Sequence, residues 1–201
     1  MAGKNRMSKE RRISGLILSA GRSERMGSPK AFLRTKTGNT FIKTICNIFE
    51  EAEVERICVV ANKENYFGVK KEIGRVAEIF INHRPEDGML SSIRIGIEEL
   101  KDSYAAFIAP VDIPYLDKKV LTSMMNSEFE EDSILGIPVY NGRRGHPVLL
   151  LRRGYSLLTE DLPTGMKSLI QRYPRLVKEI HVDSNLPVDF DTPEDYERMA
   201  E

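Results

Sequence analysis

The chain alternates short apolar runs with stretches of helical spacing, and this alternation constrains its fold more than any other feature. Ile13–Ser19 and Ala105–Pro110 are apolar enough to be buried strands, while the apolar residues of segment 40–52 recur every three or four positions, as on one face of a helix. Further strands are predicted at 56–61 and 78–81, and further helices at 64–73, 89–100 and 117–126. Strands that alternate with helices at this spacing predict βαβ units, an α/β fold and a mostly parallel sheet.

The pattern changes after about residue 130. Extended runs at 133–140 and 147–151 flank a turn rich in Gly and Arg, which predicts a hairpin. A short helix at 165–173 and a strand at 176–182 follow, and Thr192-Pro193 has the residue types of a helix start. Because no linker or repeat interrupts the chain, residues 13–201 are interpreted as a single domain and the basic residues 1–12 as a disordered tail.

Composition excludes several classes of partner and site. Thirty basic residues balance thirty acidic ones, so the chain lacks the basic excess that nucleic acid or an anionic membrane would attract. No window approaches the roughly 18 continuous apolar residues of a membrane span, and no secretory signal follows the N-terminus. Cys46 and Cys58 lie in apolar stretches and are expected to be buried thiols. We therefore expect a soluble cytoplasmic protein.

The most informative segment is 18–30, LSAGRSERMGSPK, which we call the glycine loop. It follows the first predicted strand, and open α/β sheets bind ligands at the carboxyl ends of their strands. Backbone N–H groups around Gly21 can bind phosphate oxygens, to which Arg25 and Lys30 add positive charge. The spacing of Gly21, Gly27 and Lys30 matches neither a Walker loop nor the dinucleotide fingerprint. A turn with solvated charges is the alternative, which the whole constellation disfavours.

The glycine loop resembles the L-x-x-G-x-S-x-R-M-G-x-x-K signature of small nucleotidyltransferases, above all the branch that attaches CMP or GMP to molybdopterin. The resemblance implies a Rossmann-like, three-layer α/β/α fold related to GT-A glycosyltransferases. It also implies that Arg25 and Lys30 act on the nucleotide phosphates as catalytic residues. The residues implied to wrap the nucleotide, together with Lys30, are Leu18, Ser19, Ala20, Gly21, Arg22 and Ser23.

Acidic residues occur at two further points. Asp112 follows the strand 105–110 and resembles the family's D-x-P, which implies a catalytic, metal-binding carboxylate; a turn-forming aspartate is the alternative. Magnesium is usually held by one or two carboxylates plus substrate phosphates. Asp189 and Asp191 alternate along an extended segment and resemble the family's D-x-D-T-P-E-D ending, which implies a second metal or nucleotide contact. Asp191 could instead cap the last helix, and Asp189 is the marginally better metal candidate.

Segment 82–92 resembles the family's N-x-x-x-x-x-G-x-x-x-S stretch, which implies that Gly88 and Ser92 contact the base and ribose. A loop that ends in an ordinary helix cap is the alternative. His83 is interpreted as a solvated loop histidine rather than a ligand.

Segment 140–148 resembles the G-x-x-G-H-P-V stretch of the molybdopterin branch. The resemblance implies acceptor contacts from Arg143, Arg144, Gly145 and His146. Arginines and a histidine suit an acceptor with a phosphate and an anionic dithiolene. Without the resemblance, Asn-Gly in this segment is simply a good turn.

The function that the resemblance implies is Mg²⁺-dependent transfer of CMP from CTP to the terminal phosphate of molybdopterin, with release of pyrophosphate. The choice of CTP depends on Ala20, since L-A-A-G is associated with CTP and L-A-G-G with GTP; Ser19 departs from both patterns. The alternatives are a GTP-using enzyme, a transferase for methylerythritol phosphate or a sugar phosphate, and a carrier without turnover. A molybdoenzyme or its chaperone is the candidate recipient of the product.

Overall fold

The computed structural model describes residues 12–200, with the backbone alone for residues 199 and 200. The predicted tail, residues 1–12, lies outside the described residues apart from Arg12. The strands of the described range are β1 (Ile13–Ser19), β2 (Ile57–Asn62), β3 (Glu78–Asn82), β4 (Ala105–Pro110), β5 (Leu135–Tyr140), β6 (Arg143–Arg144), β7 (Val148–Leu151) and β8 (Val177–His181). Its α-helices are α1 (Phe41–Glu51), α2 (Tyr66–Ile73), α3 (Met89–Glu99), α4 (Lys118–Met125), α5 (Met166–Arg172) and α6 (Pro193–Ala200).

The strands form one mixed sheet in the order β3-β2-β1-β4-β7-β5-β6, with β8 paired to β5. The pairs β1–β2, β1–β4, β2–β3 and β5–β8 are parallel, whereas β7 runs antiparallel to both of its neighbours, β4 and β5. The carboxyl ends of β1, β2, β3 and β4 therefore lie along the same edge of the sheet. The glycine loop, segment 82–92 and Asp112 all begin at this edge, because each follows one of these strands.

Helices cover both faces of the sheet, so the fold is a three-layer α/β/α sandwich of the Rossmann-like kind. Every residue of β1 is buried, as expected of a central strand in a parallel sheet. Ile13 and Ile17 pack into one core layer with α1, α2 and α4, and Leu16 and Leu18 pack into the other with α3 and α5. This alternation confirms the predicted α/β class.

The predicted elements are all present, with shifted ends that have local causes. Helix α2 begins at Tyr66 rather than at 64, because Asn65 is tied by hydrogen bonds to Asn62 at the end of β2. Asp117 is the N-cap of α4, where its side chain accepts a hydrogen bond from the Lys119 N–H. An unpredicted 3₁₀ stretch, Arg152–Thr159, follows β7.

The cysteines are buried and free, as predicted. Burial raises the pKa of both thiols to about 12, which leaves them protonated at neutral pH. No helix in residues 12–200 is both long enough and apolar enough to cross a membrane.

Candidate nucleotide-binding and active site

The glycine loop turns back on itself at the carboxyl end of β1. The Ser23 carbonyl accepts hydrogen bonds from the N–H groups of Met26 and Gly27, and the Ser23 hydroxyl accepts one from the N–H of Lys30 at 3.1 Å. These bonds bring Lys30 back to the end of the strand from which the loop departed.

A cavity of about 570 Å³ opens over this loop, and we call it the nucleotide cavity. Its lining includes every predicted nucleotide contact, namely Leu18, Ser19, Ala20, Gly21, Arg22, Ser23, Lys30, Gly88 and Ser92, together with Arg25, Asp112 and Asp191. The Ser19 hydroxyl is buried and has no hydrogen-bond partner among the described residues. The fold thus gathers residues from four separate segments around one space.

Lys30 stands at the centre of the charged groups. Its ammonium donates to Asp112 Oδ2 at 2.8 Å and to Asp191 Oδ1 at 2.5 Å, and Arg25 lies 3.3 Å from Asp191 Oδ2. The Lys30 side chain is only 12% exposed. Three segments distant in sequence therefore meet through one cation.

The pKa values of the charged groups in this cluster depend on one another. Burial lowers the pKa of Lys30, but its hydrogen bonds to Asp112 and Asp191 outweigh burial, and the net result is a raised pKa. The hydrogen bond from Lys30 holds the pKa of Asp191 below its ordinary value. Lys30 and Asp191 are accordingly charged throughout the neutral pH range.

Asp112 has one oxygen for which the protein supplies no partner. Asp112 Oδ1 is buried and makes no hydrogen bond within the described residues, while Oδ2 is bound to Lys30. An unsatisfied buried carboxylate oxygen is costly unless a cation or donor shares it. In residues 12–200, no group of three or more His, Cys, Asp or Glu side chains is arranged to hold a metal by itself. These donors fit Mg²⁺, which a protein usually holds with one or two carboxylates and substrate phosphates.

The two aspartates near the C-terminus have different surroundings. Asp191 lines the nucleotide cavity and pairs with Lys30, whereas Asp189 lines neither of the two cavities described in this chain. Partial burial, and then the negative charge of Asp112, raise the pKa of Asp189. Among the described contacts, Asp191 is thus the aspartate that binds Lys30. Asp189 makes no such contact, but the charge of Asp112 still affects its pKa.

Asp191 is oriented by the start of α6 rather than acting as its cap. Thr192 Oγ1 accepts a hydrogen bond from the Asp195 N–H at 3.3 Å. Asp195 Oδ2 in turn accepts bonds from the N–H groups of Asp191 and Thr192, which form a capping box. A hydrogen bond from the Thr192 hydroxyl to Asp195 Oδ2 at 3.0 Å, and then these backbone bonds, hold the pKa of Asp195 below its ordinary value. The side chain of Asp191 is thereby left free to reach Lys30.

Two asparagines that the sequence analysis did not single out hold the glycine loop from behind. Asn65 Nδ2 donates to the Ser19 carbonyl at 2.7 Å and Asn62 Nδ2 to the Ala20 carbonyl at 3.1 Å. Each asparagine also accepts the backbone N–H of the other at 2.9 Å. Asn-x-x-Asn that begins at the last residue of a strand is the sequence signal that could have found them.

A third asparagine organises the segment beyond β3. Asn82 Nδ2 donates to Ser91 Oγ at 2.8 Å and to Ser92 Oγ at 2.9 Å. Both bonds fix the first turn of α3 against the end of β3. Gly88 and Ser92, which sequence reasoning assigns to the base and ribose, face the nucleotide cavity from this side.

The predicted hairpin exists, but it brings only part of the predicted acceptor site to a cavity. Asn141 and Gly142 form its turn with φ values of 48° and 81°. His146 lines a second cavity, whereas Arg143 and Arg144 are exposed outside both cavities, and Arg144 pairs with Glu179 at 2.6 Å.

Gly145 has a packing role in this hairpin. A Cβ at position 145 would meet Tyr140 at 2.8 Å and Leu186 at 2.5 Å, so this glycine allows the hairpin to close. This lack of space explains why a glycine stands at position 145, and no contact with the acceptor is needed to explain it.

Comparison with curated proteins gives relatives of nearly the same length. A probable molybdenum cofactor guanylyltransferase of Bacillus mycoides (strain KBAB4) is 26% identical over 197 residues, which cover 92% of this chain and 94% of the relative. A protein of the same description from Bacillus cereus (strain ATCC 10987 / NRS 248) is 25% identical over 195 residues, which cover 91% and 93%.

Solved structures share the fold. Rv0371c from Mycobacterium tuberculosis H37Rv has a TM-score of 0.80 at 21% identity, over 94% of this chain and 97% of that one. A complex of Rv0371C with manganese gives 0.75 at 19% identity, over 94% and 97%. The inositol-1-phosphate CTP transferase of T. maritima gives 0.70 at 20% identity, over 94% and 95%.

A family-level match completes the comparison. Residues 15–177, which contain the glycine loop, Asp112 and the hairpin, match the MobA-like NTP transferase domain. The chain therefore belongs to the family of MobA-like NTP transferase domains and is a nucleotidyltransferase.

Proposed function

We propose that this protein transfers CMP from CTP to the terminal phosphate of molybdopterin and releases pyrophosphate. The observation that carries the proposal is the cluster of Lys30, Asp112 and Asp191, which lines the nucleotide cavity beside the glycine loop. It combines a cation for phosphate oxygens with carboxylates for a divalent metal. The guanylyltransferase descriptions of the relatives support molybdopterin as the acceptor.

The reaction requires one bond to form and one to break. An oxygen of the acceptor phosphate bonds to the α-phosphorus of the nucleotide, and the bond from that phosphorus to the bridging oxygen of pyrophosphate breaks. A phosphate monoester has a second pKa of about 6 and is largely dianionic at neutral pH, so this nucleophile needs no general base. The enzyme has to supply positioning and charge neutralisation.

The residues of the cluster supply those two effects. The N–H groups of the glycine loop and the ammonium of Lys30 bind phosphate oxygens, and Arg25 adds a second positive charge beside Asp191. Asp112, with its free Oδ1, and Asp191 would hold Mg²⁺ together with the nucleotide phosphates. When bound, Mg²⁺ neutralises the charge that develops on the phosphoryl oxygens and on the leaving pyrophosphate.

We propose cytosine as the base of the donor nucleotide because of Ala20. This residue lines the nucleotide cavity, and an alanine at this position of the glycine loop is associated with CTP in the family. Gly88 and Ser92, which line the same cavity, also resemble the CTP branch. GTP is the second candidate, because the curated relatives are described as guanylyltransferases.

A pyrophosphate-release assay tests the proposal. The protein is mixed with Mg²⁺, molybdopterin and each of the four NTPs in turn. Release with CTP is expected, and release with GTP instead would overturn the argument from Ala20. Release only with methylerythritol phosphate or a sugar phosphate as the acceptor would reject molybdopterin, and no release with any acceptor would leave a carrier role.

A further inference from the structure

A second cavity of about 1020 Å³ adjoins the nucleotide cavity. Its walls are the end of β3 with the loop that follows, the start of α3, and segment 161–167 before α5, to which the hairpin adds His146. Gly88 and Met89 line both cavities, so a ligand in the second cavity lies directly beside a nucleotide in the first.

The second cavity has an apolar side. Leu90 and Met166 line it and are partly buried against the core layer below α3 and α5. Met89, where the two cavities meet, is 56% exposed and adds its apolar side chain to this wall. Such a wall suits the face of a flat ring system rather than an extended chain of hydroxyl groups.

The same cavity also offers uncommitted basic groups. Lys167 and His83 line it, and neither side chain forms a hydrogen bond or ion pair with another residue of the range 12–200. The remaining charged groups of the lining are mostly committed. Arg84 pairs with Asp87 at 3.1 Å, and Arg94 donates to the carbonyl groups of Leu158 and Glu160.

Asp161 is the acid that remains in this lining without a side-chain partner among the described residues. The opposite charges of Arg84 and Asp87 cancel each other. The charge of Asp161 is then outweighed by Arg94 and Lys167 together, so the cavity favours an anion.

We infer that the second cavity binds the acceptor, a flat fused heterocycle that carries a phosphate, and that Lys167 and His83 contact its anionic groups. The inference rests on the proposed function and adds the place where the acceptor lies. It moves the acceptor from the exposed arginines of the hairpin to the segment before α5, and it retains His146 as a contact. It also replaces the interpretation of His83 as a solvated loop histidine, because His83 lines this cavity. Met89 then separates the heterocycle from the ribose of the nucleotide.

Steady-state kinetics of Lys167→Ala and His83→Ala test this inference. Both side chains are exposed, so their removal is tolerated by the fold, which circular dichroism and the affinity for CTP verify. Because a charge-assisted hydrogen bond is lost, the KM for molybdopterin in Lys167→Ala rises about tenfold, while the KM for CTP stays unchanged. Lys167→Arg restores most of the loss, and Lys71→Ala on the outer helix α2 changes neither constant.

An unchanged KM for molybdopterin in both Lys167→Ala and His83→Ala overturns the inference, and so does a rise confined to Arg143→Ala. In either case, turnover by the wild type leaves the proposed function standing. If the wild type does not turn over, the proposed function fails, and equilibrium binding of molybdopterin to wild type and Lys167→Ala decides the cavity separately. Weaker binding by the variant supports the cavity; equal binding, or none to either protein, rejects it.

Discussion

The ammonium of Lys30 lies 2.8 Å from Asp112 Oδ2 and thereby joins the glycine loop after β1 to the loop after β4. Both loops follow central, parallel strands of the sheet, and these strands pair directly with each other. The contact places the cation that we propose to bind phosphate beside the carboxylate that we propose to bind the metal ion. The chemistry proposed for this protein depends on that pair.

Removal of either partner should abolish most of the turnover. Lys30→Ala removes a positive charge from the transferring phosphate, and Asp112→Ala removes the carboxylate proposed to hold the metal. We expect each variant to lower kcat by roughly 10²–10³-fold, the size of effect typical of a lost preorganised electrostatic contact. The measurement is initial-rate pyrophosphate release at saturating CTP and molybdopterin.

Lys71→Ala, which removes an exposed lysine of α2, is the matched control and should keep wild-type turnover. Circular dichroism verifies that the two active-site variants fold. Near-normal turnover by either folded variant would contradict the role proposed for that residue.

Lys30 and a divalent metal should compete for the same carboxylates. Lys30 already binds Asp112 and Asp191, and its positive charge repels a metal ion. We expect Lys30→Ala to bind Mn²⁺ alone about tenfold more tightly than the wild type, because Asp112 and the Oδ1 atom of Asp191 lose their partner. Electron paramagnetic resonance of free Mn²⁺ measures this affinity without nucleotide or turnover. Equal or weaker Mn²⁺ binding by the variant would show that Lys30 does not occupy the metal ligands.

Asn65 should act as a positioning residue for the glycine loop. Asn65→Ala removes the donor to the Ser19 carbonyl and the acceptor for the Asn62 N–H. Because buried polar groups then lose their partners, we expect the free energy of unfolding to fall by about 1–3 kcal/mol. The KM for CTP should rise as well, since the loop backbone is no longer held. Thermal denaturation and steady-state kinetics report the two effects.

Ser14→Ala provides the matched control at the opposite end of β1. It removes a buried hydrogen bond of 2.7 Å to Ser103, far from the glycine loop. This variant should lose stability without a change in the KM for CTP. If the two variants raised this KM equally, the effect of Asn65 would be one of general stability rather than loop position.

An ion pair away from the site should make stability depend on acid pH. The Arg56 guanidinium donates to both oxygens of Glu78, at 2.5 and 2.8 Å, and holds the pKa of Glu78 below its ordinary value. A carboxyl with a lowered pKa in the folded state stabilises the fold above its unfolded pKa, and this contribution is lost as the pH falls through the folded pKa. The Tm difference between the wild type and Glu78→Gln should thus be constant near neutral pH and shrink below about pH 4. A difference that stays constant down to about pH 3 would contradict the pair's contribution.

Local sequence patterns predicted the elements well because each strand and helix of the first half has its own apolar period. The glycine loop and Asp112 could be assigned because each directly follows a strand of the parallel sheet, whose carboxyl ends share one edge. The neighbours of β7 could not be assigned this way. Strand β7 lies between β4 and β5 because it pairs with both of them. Local periodicity does not indicate which strands pair when their segments are distant in the chain.

The same reason limited the prediction of the site. Asn62 and Asn65 act through side-chain bonds to carbonyl groups more than 40 residues away, which no local pattern encodes. The second cavity is built from β3, α3 and segment 161–167, so its lining could not be read from any one motif. Arg143 and Arg144 follow the family motif, yet the hairpin leaves them exposed outside both cavities.

The central claim is that the protein transfers a nucleotidyl group to molybdopterin. Its most direct measurement is a single-turnover reaction of CTP labelled at the α-phosphate with molybdopterin and Mg²⁺, followed by separation of the products. We predict that the label leaves CTP and appears covalently attached to molybdopterin, with one pyrophosphate per transfer and no free CMP. Label that remains in CTP, or that appears only as free CMP, would contradict it.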